Sequence, residues 1–204
     1  MHDDRRYTPW LIAVAVFACA TFALLQWRSG HRLTTGPVDA EPRQEEIADA
    51  APFAFRGARL VPRAAYRIEA KLLSKEPYHA GDAGRLAPWD FAMGWGPMSR
   101  EEVVKQLGID QSSRYYSYRW HGEPPIPLAQ IVRNSANMHL IPANDSVASQ
   151  LKRAQPGYKV VLEGKLVDAV WADGRRWSTS LTRDDTGGGA CELMLVESVA
   201  VSHP

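Results

Sequence analysis

The chain has 204 residues, 45% of them hydrophobic, with seven Trp and seven Tyr, and 24 Lys and Arg against 23 Asp and Glu for a formal charge of +1. This is the composition of a folded protein, and once an N-terminal apolar segment is set aside the remainder fits one ordinary domain. The charge balance argues against a nucleic-acid partner or a polybasic lipid-binding surface, and two cysteines are too few for a disulfide framework or a cysteine-based zinc site.

The run from Trp10 to Trp27 carries no charge, and Gln26 at its edge is its one strongly polar side chain. Eighteen helical residues rise about 27 Å, enough to cross the hydrocarbon of a bilayer. Trp10 and Trp27 mark the two interfaces, with Arg5, Arg6, Arg28 and Arg32 outside them. Residues 1–28 therefore read as an uncleaved transmembrane anchor. Cleavage at Ala18-Cys19-Ala20 would leave Phe22 to Leu25 as an apolar stub, and Phe17 opposes lipid attachment at Cys19. The arginines tie under the positive-inside rule. A short N-terminal tail stays inside, which sends the rest of a bacterial chain across the inner membrane to the periplasm; a cytoplasmic domain is the alternative.

Residues 29–51 are small, charged or proline, without apolar periodicity, and read as a flexible linker with room for a few helical turns from Glu41 to Ala51. Residues 52–204 form the expected soluble domain. Tyr66 to Leu73 alternates as a half-buried strand does. Pro77 to Pro97 is loop-rich and carries Trp89, Phe91, Met93 and Trp95 at every second position, either one aromatic face packed inward or a surface patch. Ser99 with Glu102 makes a capping box for a helix ending at Gly108. Arg114 to Trp120 has aromatic residues at strand spacing. A short helix over Pro127 to Arg133, a buried extended piece from Met138 to Ile141, and a helix capped by Asn144 or Asp145 follow.

Tyr158 to Trp171, Arg176 to Arg183 and Cys191 to Val201 are three β-rich runs. The Asp173-Gly174 turn predicts an antiparallel C-terminal three-strand meander, with a bulge at Gly164. The fold class is α+β: an N-terminal transmembrane helix, then one small domain with an antiparallel sheet or partly open barrel and two or three short helices.

Motifs with chemical content are few. Asp185-Thr186-Gly187 matches an aspartic-peptidase tripeptide, but a second copy is absent and a glycine-rich turn explains it. Cys191, His139 and Asn137 supply the side-chain types of a cysteine nucleophile, its base and an orienting amide. Gly188-Gly189-Ala190-Cys191 resembles in part the glycine-cysteine turn of the L,D-transpeptidases, without that family's serine, histidine and arginine around the cysteine. His79, His121 and His139 lack ligand spacing, so neither metal nor cofactor is expected. Tyr and Trp beside Arg114 and Arg119 are residue types of binding hot spots. The candidate binding residues are Trp89, Trp95, Asn137 and His139.

Pro88 to Ser99, Asn134 to Pro142 and Asp184 to Glu192 resemble stretches of a family of uncharacterised bacterial single-span membrane-anchored proteins. The resemblance implies an envelope protein and carries no activity or catalytic residue. The expected function is a non-enzymatic binding module on the periplasmic side, its partners being the membrane and an envelope protein; the alternative is an envelope hydrolase or transpeptidase using Cys191 and His139.

Overall fold

A computed structural model describes residues 36–182 and 189–202. The apolar run 10–27 and the tripeptide Asp185-Thr186-Gly187 lie outside these residues. Among the described residues no helix is long and apolar enough to cross a membrane.

The described part is a mixed α+β domain with a mostly antiparallel sheet and four short helices. Its strands are β1 (Arg43–Glu46), β2 (Phe53–Phe55), β3 (Ala58–Pro77), β4 (Trp89–Gly94), β5 (Gly108–Ser112), β6 (Tyr115–Arg119), β7 (Ser135–Pro142), β8 (Lys159–Trp171), β9 (Arg176–Trp177) and β10 (Glu192–Ser202). The helices are α1 (Gly81–Leu86), α2 (Glu101–Val104), α3 (Leu128–Arg133) and α4 (Asp145–Arg153), with a 3-10 turn at Gly96–Ser99.

The long strand β3 organises the sheet. Its first part, Ala58 to Lys71, pairs with β8, and its second, Lys71 to Pro77, pairs with β4. β4 pairs with β7, β7 runs parallel to β10, and β10 returns antiparallel to β8. The pairings thus close on themselves through five strands. Extra residues at Arg63 and Leu73 bend β3 enough to serve both neighbours. Alternation sends Tyr66, Ile68, Ala70 and Leu72 inward against Phe91, Met93, Met138, Leu140, Leu162 and Met194.

Several sequence expectations change. The C-terminal runs do not order as a meander, because β10 and the two-residue β9 both pair with β8, along successive stretches of the edge opposite β3. The bulge residue is Glu197 of β10, opposite Gly164; a Cβ on Gly164 would lie 2.0 Å from the Leu195 carbonyl oxygen, so glycine admits the bulged backbone. Ser99 does not cap a helix. Its hydroxyl accepts the Val38 amide at 2.8 Å and donates to Gly96 O at 2.7 Å, and α2 starts from Arg100 with no side-chain cap.

The segment 36–51 includes β1, paired with β3 from Arg43↔Arg67 to Glu46↔Ala64, and Val38 is buried in the core. Polar residues conceal this strand because backbone bonds, not apolar side chains, seat it. The cap on α4 is as expected: Asn144 Oδ1 accepts the Val147 amide at 3.0 Å.

Candidate functional site

Between β4 and β7 the chain leaves the sheet for some forty residues, 95–134, and folds back over its outer face. There Leu73, Ala92, Met98, Val103, Leu107 and Ile131 form a separate apolar cluster, with Tyr116 and Tyr118 against it. The two-stranded β5–β6 sheet forms part of this cover. Its two-residue turn, Ser113-Arg114, has both residues at positive φ, 51° and 71°. Such a turn normally takes Asn-Gly or Gly, and neither residue here relieves the strain itself.

The contacts of Arg114 explain why the turn holds. Its amide donates to the Tyr78 hydroxyl at 2.8 Å, and its guanidinium lies 3.8 Å from the Tyr78 ring centroid and 5.3 Å from that of Trp177. Nη1 donates to Asp90 Oδ1 at 2.5 Å. The Arg114 carbonyl accepts the Asn137 amide at 3.0 Å. Burial raises the Tyr78 phenol above its ordinary pKa, against the opposing pull of the Arg114 amide.

Asn137 and His139 project from β7 on the face opposite Met138 and Leu140, as the alternation requires. They are 5% and 3% exposed. The register pairs Asp90 with His139 and Ala92 with Asn137. Asn137 is a junction: its carbonyl accepts from Gln111 Nε2 at 2.7 Å, and its amide reaches Cys191 Sγ at 3.6 Å as well as Arg114. His139 Nδ1 lies 2.9 Å from Asp90 Oδ1 but is not aligned for a hydrogen bond to it, and its ring packs 4.7 Å from Trp177. Asp90 is 1% exposed, and its Oδ2 has no hydrogen-bond partner. A buried carboxylate with only half its acceptors used is costly unless neighbouring cations compensate, and Arg114 is placed to do so.

Two cavities open on this network. One, of about 580 Å³, is bounded by Arg114, His139, Trp171, Arg175, Arg176 and Trp177 among others. The second, of about 350 Å³, lies along Tyr115, Tyr116, Tyr118, Ser135 and Asn137. Tyr115 and Cys191 border both, and Tyr115 is 56% exposed.

Of the four residues chosen from sequence, the structure brings Asn137 and His139 together at these cavities. Trp95 is 1% exposed in the main apolar core, and Trp89 packs on that core from the same face, so both serve as packing residues. The aromatic alternation from Trp89 to Trp95 is an inward face, not a surface patch. His79 and His121 are exposed, and among the described residues no group of three or more His, Cys, Asp or Glu could hold a metal.

Tyr78, Asp90, Gln111 and Trp177 were not evident as site residues, and Arg114 stood out only as a charged neighbour of hot-spot aromatics. Comparison with family models, curated proteins and solved structures returns no match.

Proposed function

We propose that the protein is a bacterial envelope protein, held in the inner membrane by residues 10–27, whose domain is a non-enzymatic binding module on the periplasmic side. The observation that carries the binding reading is the network on β7. Asn137 and His139 are polar groups that a plain core strand would not need: Asn137 ties the strained Arg114 turn to β7, His139 lies beside Asp90, the ion partner of Arg114, and the two border cavities that meet at exposed Tyr115. Backbone strain kept in place by a dense polar network at a cavity is characteristic of a preorganised site.

The strand order supports the same reading. A five-strand ring with one parallel pair, and a helix before its fourth strand, corresponds to the partly open Greek-key barrel of the OB type, in which the outer face of the second and third strands is a binding surface. Here those strands are β4 and β7. Fold analogy assigns no ligand.

The anchor rests on the uncharged run and its Trp and Arg flanks. Its partners are the membrane and an envelope component reached through the groove.

A photocrosslinking residue at Tyr115 of the full-length protein, irradiated in membranes, tests the groove. A discrete adduct is expected there and not from the same residue at Phe53, which is 38% exposed on β2. Equal yields from both sites would reject the groove.

One observation favours the enzymatic alternative: Cys191 and His139 border one cavity, with Asp90 2.9 Å from His139 Nδ1. Against it, the Cys191 thiol contacts the Asn137 amide and the Arg114 carbonyl. A thiol-directed reagent separates the readings, because a catalytic thiolate reacts rapidly at neutral pH and a structural thiol does not.

A further inference from the structure

The smaller cavity runs beside a strand whose second edge is open. β6 pairs with β5 from Gly108↔Arg119 to Ser112↔Tyr115, and no other strand among the described residues pairs with it. The two-residue turn Ser113-Arg114, with both φ positive, makes Ser112 and Tyr115 exchange backbone hydrogen bonds. Alternation then turns the backbone groups of Tyr115, Ser117 and Arg119 toward β5, and aims the N–H and C=O of Tyr116 and Tyr118 the other way. The cavity lies on that side. Tyr115 to Tyr118 form one wall, Val132, Ser135, Ala136 and Cys191 stand opposite, and no β5 residue lines it.

Open edges are normally blunted by Lys, Pro or a bulge. Residues 115–118 carry none of these. The facing wall instead confines the edge to a slot of about 350 Å³, which admits a single segment rather than a second sheet. Every residue lining the slot is uncharged. Resting on the binding reading above, we infer that β6 takes up an uncharged, extended peptide segment of a partner protein as an added strand, through the backbone groups of Tyr116 and Tyr118. An extended backbone presents donor and acceptor pairs at the two-residue spacing of these groups, about 6.8 Å. A charged side chain in the slot would lose hydration and gain no counter-charge.

Full-length protein in detergent, offered pooled capped heptapeptides of Ala, Ser, Thr, Val and Asn and matching pools with Glu or Lys at the centre, tests this. Peptides of the uncharged pool are expected to be retained about tenfold or more over the charged pools. In residue-resolved hydrogen exchange, a retained peptide should slow the Tyr116 and Tyr118 amides about tenfold or more, and leave those of β1, the terminal strand of the main sheet, unchanged. N-methylating alternate peptide residues removes the donors of one peptide edge, so one of the two alternate sets should lower affinity about tenfold or more. Val132→Trp, which fills the slot, should abolish retention, and Leu128→Trp, at a position 52% exposed on the same helix and outside the cavity, should not. No retention from any pool, retention led by a charged pool, unchanged exchange at both tyrosine amides, full affinity in both N-methyl sets, or full retention by Val132→Trp overturns the inference. The groove is judged apart from its occupant: a Tyr115 adduct in membranes from a protein that retains no peptide would leave the groove standing and reject this partner class.

Discussion

At the scale of single residues, the network makes Arg114 worth far more to stability than a surface arginine. Asp90 is 1% exposed and paired to Arg114, whereas the Arg67–Glu163 pair is 42% and 50% exposed. Arg114→Met leaves a buried carboxylate uncompensated, an expected cost of about 3–5 kcal/mol, and Arg67→Met should cost about 0–1 kcal/mol. Urea unfolding of the two variants checks the difference. His139→Ala should cost about 1–3 kcal/mol, since it removes the ring packed on Trp177 and opens space beside Asp90. Asn137 and His139 were legible from sequence because polar groups interrupt an apolar run. Arg114 was legible only as a charged residue among aromatics, because its importance comes from a turn whose residues have no turn signature and from partners 24 and 36 positions away.

Elements show where sequence patterns mislead. Strand patterns located parts of β3, β7 and β8, but β4 fell in a stretch read as loop-rich, and its alternation cannot say which face points inward, so Trp89 and Trp95 were open to both readings. Gly164 was recognisable as irregular, while the extra residue belonged to its partner strand. Gly164→Ala would force a methyl against the Leu195 carbonyl, and a loss of about 3 kcal/mol is expected by thermal or urea unfolding.

The helix α4 offers a test with pH. Lys75 Nζ donates to the carbonyls of Leu151, Lys152 and Ala154 at the helix C-terminus. Burial, with the Lys152 charge second, pulls its pKa down from 10.5 to about 8. Between those values the unfolded chain holds a proton that the folded chain has lost, so this group makes stability rise with pH from about 8 to 10.5. The expected outcome is a smaller rise in Lys75→Met over that window. Equal slopes would show that the three carbonyls hold the ammonium at its ordinary value.

At the scale of the whole molecule, the division into linker and domain has a sharper test than composition offered. The Val38 amide donates to the Ser99 hydroxyl and its carbonyl accepts the Gly96 amide, Ile47 donates to the Arg63 carbonyl, and β1 pairs with β3. A chain beginning at Gly36 should unfold cooperatively and at higher urea than one beginning at Ala51. The same midpoint for both would show that 36–50 add nothing. Full-length protein should stay in the membrane fraction through salt and alkaline washing, as the proposed anchor requires.

The groove itself is tested most directly by Tyr115→Ser in the full-length protein, because Tyr115 is 56% exposed and borders both cavities. Its unfolding midpoint and the amount of partner recovered after mild crosslinking in the membrane are measured together. The expected result is an unchanged midpoint with recovery reduced about tenfold, the loss of one hot-spot side chain. Full recovery at an unchanged midpoint would contradict a binding surface at this groove.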